Sequence, residues 1–130
     1  MKTPRLKFLL FSLLALLLFA SCGKEGNAKS MVEDFLDTYL VDNARSDTRF
    51  SRMDSTKMIT PATVMALREH MKTVKLFKPN VSYAEGDIPK TLYYIRVTYT
   101  KLTADGKGKS YTQTFYFDPE VKRLIAFKEG

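Results

Sequence analysis

The chain has one cysteine, one histidine and no tryptophan in 130 residues. A single cysteine excludes an intramolecular disulfide and a thiolate metal centre. A single histidine leaves an imidazole zinc site without partner ligands, and any Ser-His-Asp arrangement would have to use His70 alone. His70 falls between Glu69 and Met71, off the apolar stripe of its segment, and reads as a solvated helix residue. Glycine-rich phosphate loops, zinc spacings, calcium loops, internal repeats and low-complexity stretches are all missing from the sequence. The one long apolar run, Phe8 to Phe19, is interrupted only by Ser12 and Ala15, and falls short of the roughly 20 residues that cross a bilayer.

That run is preceded by Lys2, Arg5 and Lys7 with no acid, the charged and apolar regions of a secretory signal. It ends in Ala20-Ser21-Cys22, which resembles a bacterial lipobox with Phe19 where leucine is usual. The resemblance implies that the Cys22 thiol takes the diacylglycerol. Acyl chains contribute about 0.8 kcal/mol per buried methylene, so two or more on Cys22 anchor the protein stably. The expected organisation is a signal peptide over 1–21, a tether over 22–29 and one domain over 30–130. The signal carries three of the 21 bases and none of the 14 acids, which leaves the mature chain at +4. Bases and acids are interspersed, and an exported chain with so mild an excess is not expected to bind nucleic acid. Lys24-Glu25 is similar to the short charged signal that sorts some Gram-negative lipoproteins to the cell surface. The expected location is the cell envelope, attached to the outer membrane on its periplasmic or its surface face. No cofactor is expected.

Ser30-Met31-Val32-Glu33 fits a capping box. Met31, Phe35 and Tyr39, with Val32, Leu36 and Leu40, recur every four residues behind it and predict a helix over about 31–41. Residues 43–58 are polar apart from Phe50, Met53 and Met58 and read as a loop with short helical turns. Thr60-Pro61 marks an N-cap and a first helical position, opening a helix that ends near Lys72. Around Pro79 the alternating residues 73–85 read as an edge or bulged strand. "TLYYIRVTYTKL" is the clearest strand, followed by the turn "ADGKG", a strand "KSYTQTFYF", a turn at Asp118-Pro119-Glu120 and a strand "KRLIAFKE". Pairing Val97 with Phe115, and Phe115 with Ile125, puts Ile95, Tyr99, Phe117 and Phe127 on one face. The fold class is therefore α+β, with N-terminal helices packed on one face of a curved four-stranded antiparallel sheet.

The order of elements, with "MVEDFLDTYL" at the start and "YTQTFYFDPEVKRLIAF" at the end, resembles the cone-shaped nuclear-transport-factor-like (cystatin-like) superfamily, in particular its small bacterial lipoproteins. The resemblance spans roughly residues 30–128, and departs from the family where a tryptophan is common and this chain has Leu124. It implies a cone that holds a ligand, a catalytic site or only a core, since such folds serve all three. Gln113 and Arg123 are the polar members of the core face, beside Tyr93 and Tyr99; the four could orient a ligand at the mouth of the cone, but a sheet end reaching water is the favoured reading. On the other face Tyr94, Arg96, Thr98, Thr114, Tyr116 and Leu124 carry two aromatics and an arginine and no lysine or acid, the composition of an interface core. Its partner would be a second copy or another envelope protein, beside the bilayer held by Cys22. Arg68, Lys72, Lys75 and Lys78 form a basic run, and Asp54-Ser55-Thr56 is similar to an O-glycosylation acceptor. A non-catalytic binding module is the leading expectation, with a small-ligand carrier using the cone, or an enzyme using His70, as alternatives.

Overall fold

A computed structural model describes residues 23–130. The expected signal peptide and Cys22 lie outside the described residues. Two helices and five strands follow in the order α1 (23–39), β1 (Ser46–Phe50), β2 (Asp54–Thr56), α2 (Pro61–Met71), β3 (Leu92–Leu102), β4 (Gly108–Phe117) and β5 (Leu124–Glu129). The sheet is antiparallel and open, in the order β1-β3-β4-β5, with β2 also pairing to β3.

Helix α1 begins earlier than its capping pattern suggests. Residues 23–29 are helical, so the stretch read as a tether is structured and Ser30 sits inside the helix instead of capping it. Ala28 shares the four-residue spacing of Val32, Leu36 and Leu40 and is fully buried with them. Helix α2 follows its sequence signals: Thr60 accepts from the Thr63 amide, Pro61 is the first helical residue and Met71 the last.

The sheet corrects three expectations. The polar stretch 43–58 holds β1 and β2, which form the edge beside β3. Edge strands pair through backbone groups, so their side chains need not alternate in hydropathy. Within β1 and β2 only Phe50 packs against the core, joined by Met53 from the link between them, and Asp47 at φ 52° interrupts the pairing as a bulge. The expected edge strand over 73–85 is instead an irregular strap. Val41 donates to Leu76 O and Lys78 to Tyr39 O at one end, and Ala84 donates to Leu124 O at the other. Phe77 anchors the strap in the core.

The hairpin registers are each displaced by two residues from the expected ones. Ile95 pairs with Phe115, Val97 with Gln113, and Phe115 with Phe127. An even displacement keeps every side chain on its face. The parity fails at one place only: Tyr116 opposes Ala126 but Phe117 opposes Leu124, so Ile125 is the extra residue of a β-bulge. Beyond the bulge Leu124 turns toward α1, and Ile125 joins Val64 of α2 on the opposite face.

The two helices therefore do not share one face. Helix α1 covers the face of Ile95, Val97, Tyr99, Phe115 and Phe127, where Phe35 is the hub of an aromatic cluster, with ring centroids 4.7 Å from Phe127, 5.1 Å from Phe115 and 5.9 Å from Phe77. Helix α2 lies at the β5 edge, where Val64 and Leu67 pack with Leu92, Tyr116, Ile125 and Ala126 of the second face.

Candidate functional site

The four polar residues of the core face are not brought together. Tyr93 opposes Phe117 near the start of β3, while Tyr99 opposes Tyr111 toward its end, with five residues of extended strand between them. Arg123 belongs to the β4–β5 turn, exposed, with its Nε 3.9 Å from Asp118 Oδ2. The Asp118 carboxylate organises that turn by accepting from the amides of Lys122 and Arg123, both at 2.8 Å. Tyr93 lies beneath the Lys24 ammonium, 5.3 Å from its ring centroid. These residues do not form a common ligand site.

Tyr99 and Gln113 are neighbours, both fully buried beneath α1. Burial pushes the Tyr99 hydroxyl up to about 12; the nearby Gln113 amide and the charge of Arg45 offset part of this. The Gln113 side chain is close enough to influence the hydroxyl, yet neither Tyr99 Oη nor Gln113 Oε1 has a hydrogen-bond partner among the described residues. Arg45 is held at the same end of the molecule by Asp37, at 2.8 Å, and by the carbonyls of Asn43 and Glu33. Lys101 donates to Asp42 O there. A recess of about 280 Å³ opens outside them, lined by Asp42, Ala44, Arg45, Ser46, Thr100 and Leu102. The core of the same face is packed with the aromatic cluster of Phe35, Phe77, Phe115 and Phe127.

The second face is partly covered, which changes the surface expected there. Tyr116 is only 5% exposed, under α2 and the segment carrying Ala84 and Ile88. Thr114 is buried and donates to Gly130 O at 2.7 Å. Leu124 has turned to the other face at the bulge. Of the six residues, Arg96 is exposed and Tyr94 and Thr98 are half-buried. The register brings two cations that the sequence pattern missed onto this strip: Arg49 beside Thr98, and Lys128 beside Thr114. No signal marked Arg49, because β1 has no alternating pattern from which a face could be read.

The strip is satisfied locally by a threonine ladder. The hydroxyls of Thr98 and Thr112 share a hydrogen bond of 3.0 Å, and Arg96 Nε lies 3.4 Å from Thr114 Oγ1. Among the described residues Arg96 forms no ion pair with a carboxylate. Asp54, opposite Tyr94, is the one acid at this edge of the strip.

His70 is exposed near the end of α2, and its carbonyl accepts from Thr73. Among the described residues no group of three His, Asp or Glu side chains converges as a metal site. The basic run is divided: Arg68 is a structural residue, donating to Ile125 O at 2.8 Å and Ala84 O at 3.3 Å, while Lys72 pairs with Glu69 at 2.9 Å. Ser55 is exposed on the edge strand β2, with Thr56 half-buried beside it. No helix among the described residues is long and apolar enough to cross a membrane. Compared with protein-family models, curated proteins and solved structures, the chain matches none.

Proposed function

We propose that the protein is an exported, lipid-anchored component of the bacterial cell envelope, attached through Cys22. It acts as a non-catalytic binding module, and its binding surface is the open strip of the second face of the sheet. The observation that carries the binding reading is Arg96: an exposed guanidinium at mid-strand, flanked by Arg49 and Lys128 and opposed by no carboxylate. Arginine on a threonine-rich strip, beside the half-buried Tyr94, suits a partner that brings acids. A second copy suits it poorly, because a two-fold axis through the strip would bring these cations against themselves. Helix α1 lying along one face of an antiparallel sheet supports kinship with the cone-shaped nuclear-transport-factor-like (cystatin-like) proteins. The aromatic filling of the interior favours a binding module over a carrier.

A photoreactive side chain at Thr98 tests the reading in intact cells. It should form a discrete adduct with another envelope protein, lost on Arg96→Glu, whereas the same group at Ala104 should form none. An adduct of twice the chain's mass would make the partner a second copy. Failure to cross-link at Thr98, or an adduct indifferent to Arg96→Glu, would remove the strip as the binding site.

A further inference from the structure

The acylated residue of the reading above lies one peptide bond before a helix that is pinned from its first turn. Lys24 Nζ donates to Pro119 O at 3.2 Å and stands over the Tyr93 ring. Lys29 stands over Phe50 at 6.0 Å, and Ala28 is fully buried. At the other end of α1, Leu40 bridges to Phe77 and Asp42 O accepts from Lys101. Helix α1 thus runs beside β3 and in the same direction, from Tyr93 to Lys101. Over 23–39 it measures about 25 Å, at about 1.5 Å per residue.

We propose that the end of the domain formed by the start of α1 and the β4–β5 turn rests directly on the lipid headgroups, with the opposite end held away from the bilayer. The proposal rests on the lipid-anchor reading and adds an orientation to it. A free tether would let the domain tumble, but the mostly exposed helical residues 23–27, held by Lys24, run without a break into the buried Ala28 and leave the lipid little slack. The headgroup-facing surface is then Lys24, Pro119, Glu120, Lys122 and Arg123, the last four lining a shallow recess of about 330 Å³ with Asp118. Lys122 and Arg123 are paired with Glu120 and Asp118, so Lys24 is the cation of this end with no ion pair among the described residues, and a cation close to an anionic headgroup layer contributes about 1 kcal/mol.

Two other orientations are disfavoured. Lying on α1 would press Glu33, Asp34 and Asp37, all exposed, into the headgroups. Lying on the Arg96 strip would require the anchor to reach around the sheet, because α1 covers the other face. Standing on its end, the domain leaves Arg96 directed sideways, toward a partner in the same envelope layer. It lifts the recess lined by Arg45 and Leu102, and the turn 103–107, away from the bilayer.

The test uses the full chain, processed in its own host membrane and reconstituted into phosphatidylethanolamine/phosphatidylglycerol vesicles carrying a headgroup-attached energy acceptor. With Cys22 acylated, an introduced cysteine is the only reactive thiol. Glu120→Cys and Ala104→Cys change exposed positions at the two ends. A donor dye at residue 120 should transfer strongly and the same dye at 104 weakly. A Gly/Ser linker inserted between Cys22 and Gly23 should bring the two efficiencies together. Equal transfer without the linker, or stronger transfer from residue 104, overturns the orientation while leaving the anchor intact. Failure of the unlabelled protein to float with vesicles overturns the anchor reading, and the orientation with it.

Discussion

The guanidinium of Arg68 lies 4.8 Å from the ring centroid of Tyr83 and, from the same position on α2, donates to Ile125 O in β5 and Ala84 O in the strap. One planar fork thereby joins the helix, the strap and the bulge of the last strand. Ile125 is the residue that the bulge turns toward α2, so Arg68 holds the irregularity where the two faces of the sheet exchange residues.

Arg68→Ala should destabilise the domain by about 2 to 3 kcal/mol, the range for losing charge-assisted hydrogen bonds to buried carbonyls together with a ring contact. Arg68→Lys should recover only part of this, because an ammonium cannot serve two carbonyls in the plane of a guanidinium. Urea unfolding of the domain checks both. Equal stability of Arg68→Lys and the parent would show that charge alone suffices.

Two tyrosines should titrate late. Burial raises Tyr83 to about 12, with Arg68 opposing and Tyr39 adding to the rise, and burial raises Tyr99 to about 12 as well. Tyrosine is neutral when protonated and its usual value is about 10. The folded state therefore holds these protons more tightly than the unfolded state does. The resulting stability is fully present below pH 10 and is lost as pH rises from 10 through 12. Absorbance at 295 nm should show a late-titrating fraction that moves to about pH 10 in denaturant. A single transition near 10 in the folded protein would contradict the burial of both rings.

Tyr99→Phe should leave stability unchanged or raise it by up to about 1 kcal/mol, because it removes a buried hydroxyl that bonds to no described group while keeping the ring. Gln113→Leu should behave similarly in the Tyr99→Phe background. A loss of more than about 1 kcal/mol from Tyr99→Phe would mean that the hydroxyl is bonded in solution.

Tyr116→Glu and Arg96→Glu, two rows apart on the same face, should differ sharply. Tyr116 is buried under α2, so a carboxylate there should cost more than about 3 kcal/mol or unfold the domain. Arg96 is exposed, and its replacement should stay within about 0.5 kcal/mol. Thermal melts of the two variants decide it. A stable Tyr116→Glu domain would show that α2 does not cover this face.

The sequence alone determined the elements whose side chains face two environments. Period-four stripes mark α1, the Thr60-Pro61 signal marks α2, and alternation over β3 and β4 marks which residues enter the core. An even error in register left that assignment intact. It could not determine what depends on backbone pairing. The strands β1 and β2 lie at an edge, where polar side chains suffice on both sides, so nothing in 43–58 distinguishes a strand from a loop. Nor could it locate the bulge at Ile125, which exchanges the faces of Leu124 and Ile125, because alternation has no mark for one inserted residue. The stretch 73–85 read as an edge or bulged strand and not as a strap, since Pro79 and irregular spacing fit either form, and only Phe77 in it is buried. The tertiary structure decided which face each helix covers. With α2 at the β5 edge, Tyr116 and Thr114 are enclosed and Arg96 is left open, and the pairing of β1 with β3 places Arg49 beside it.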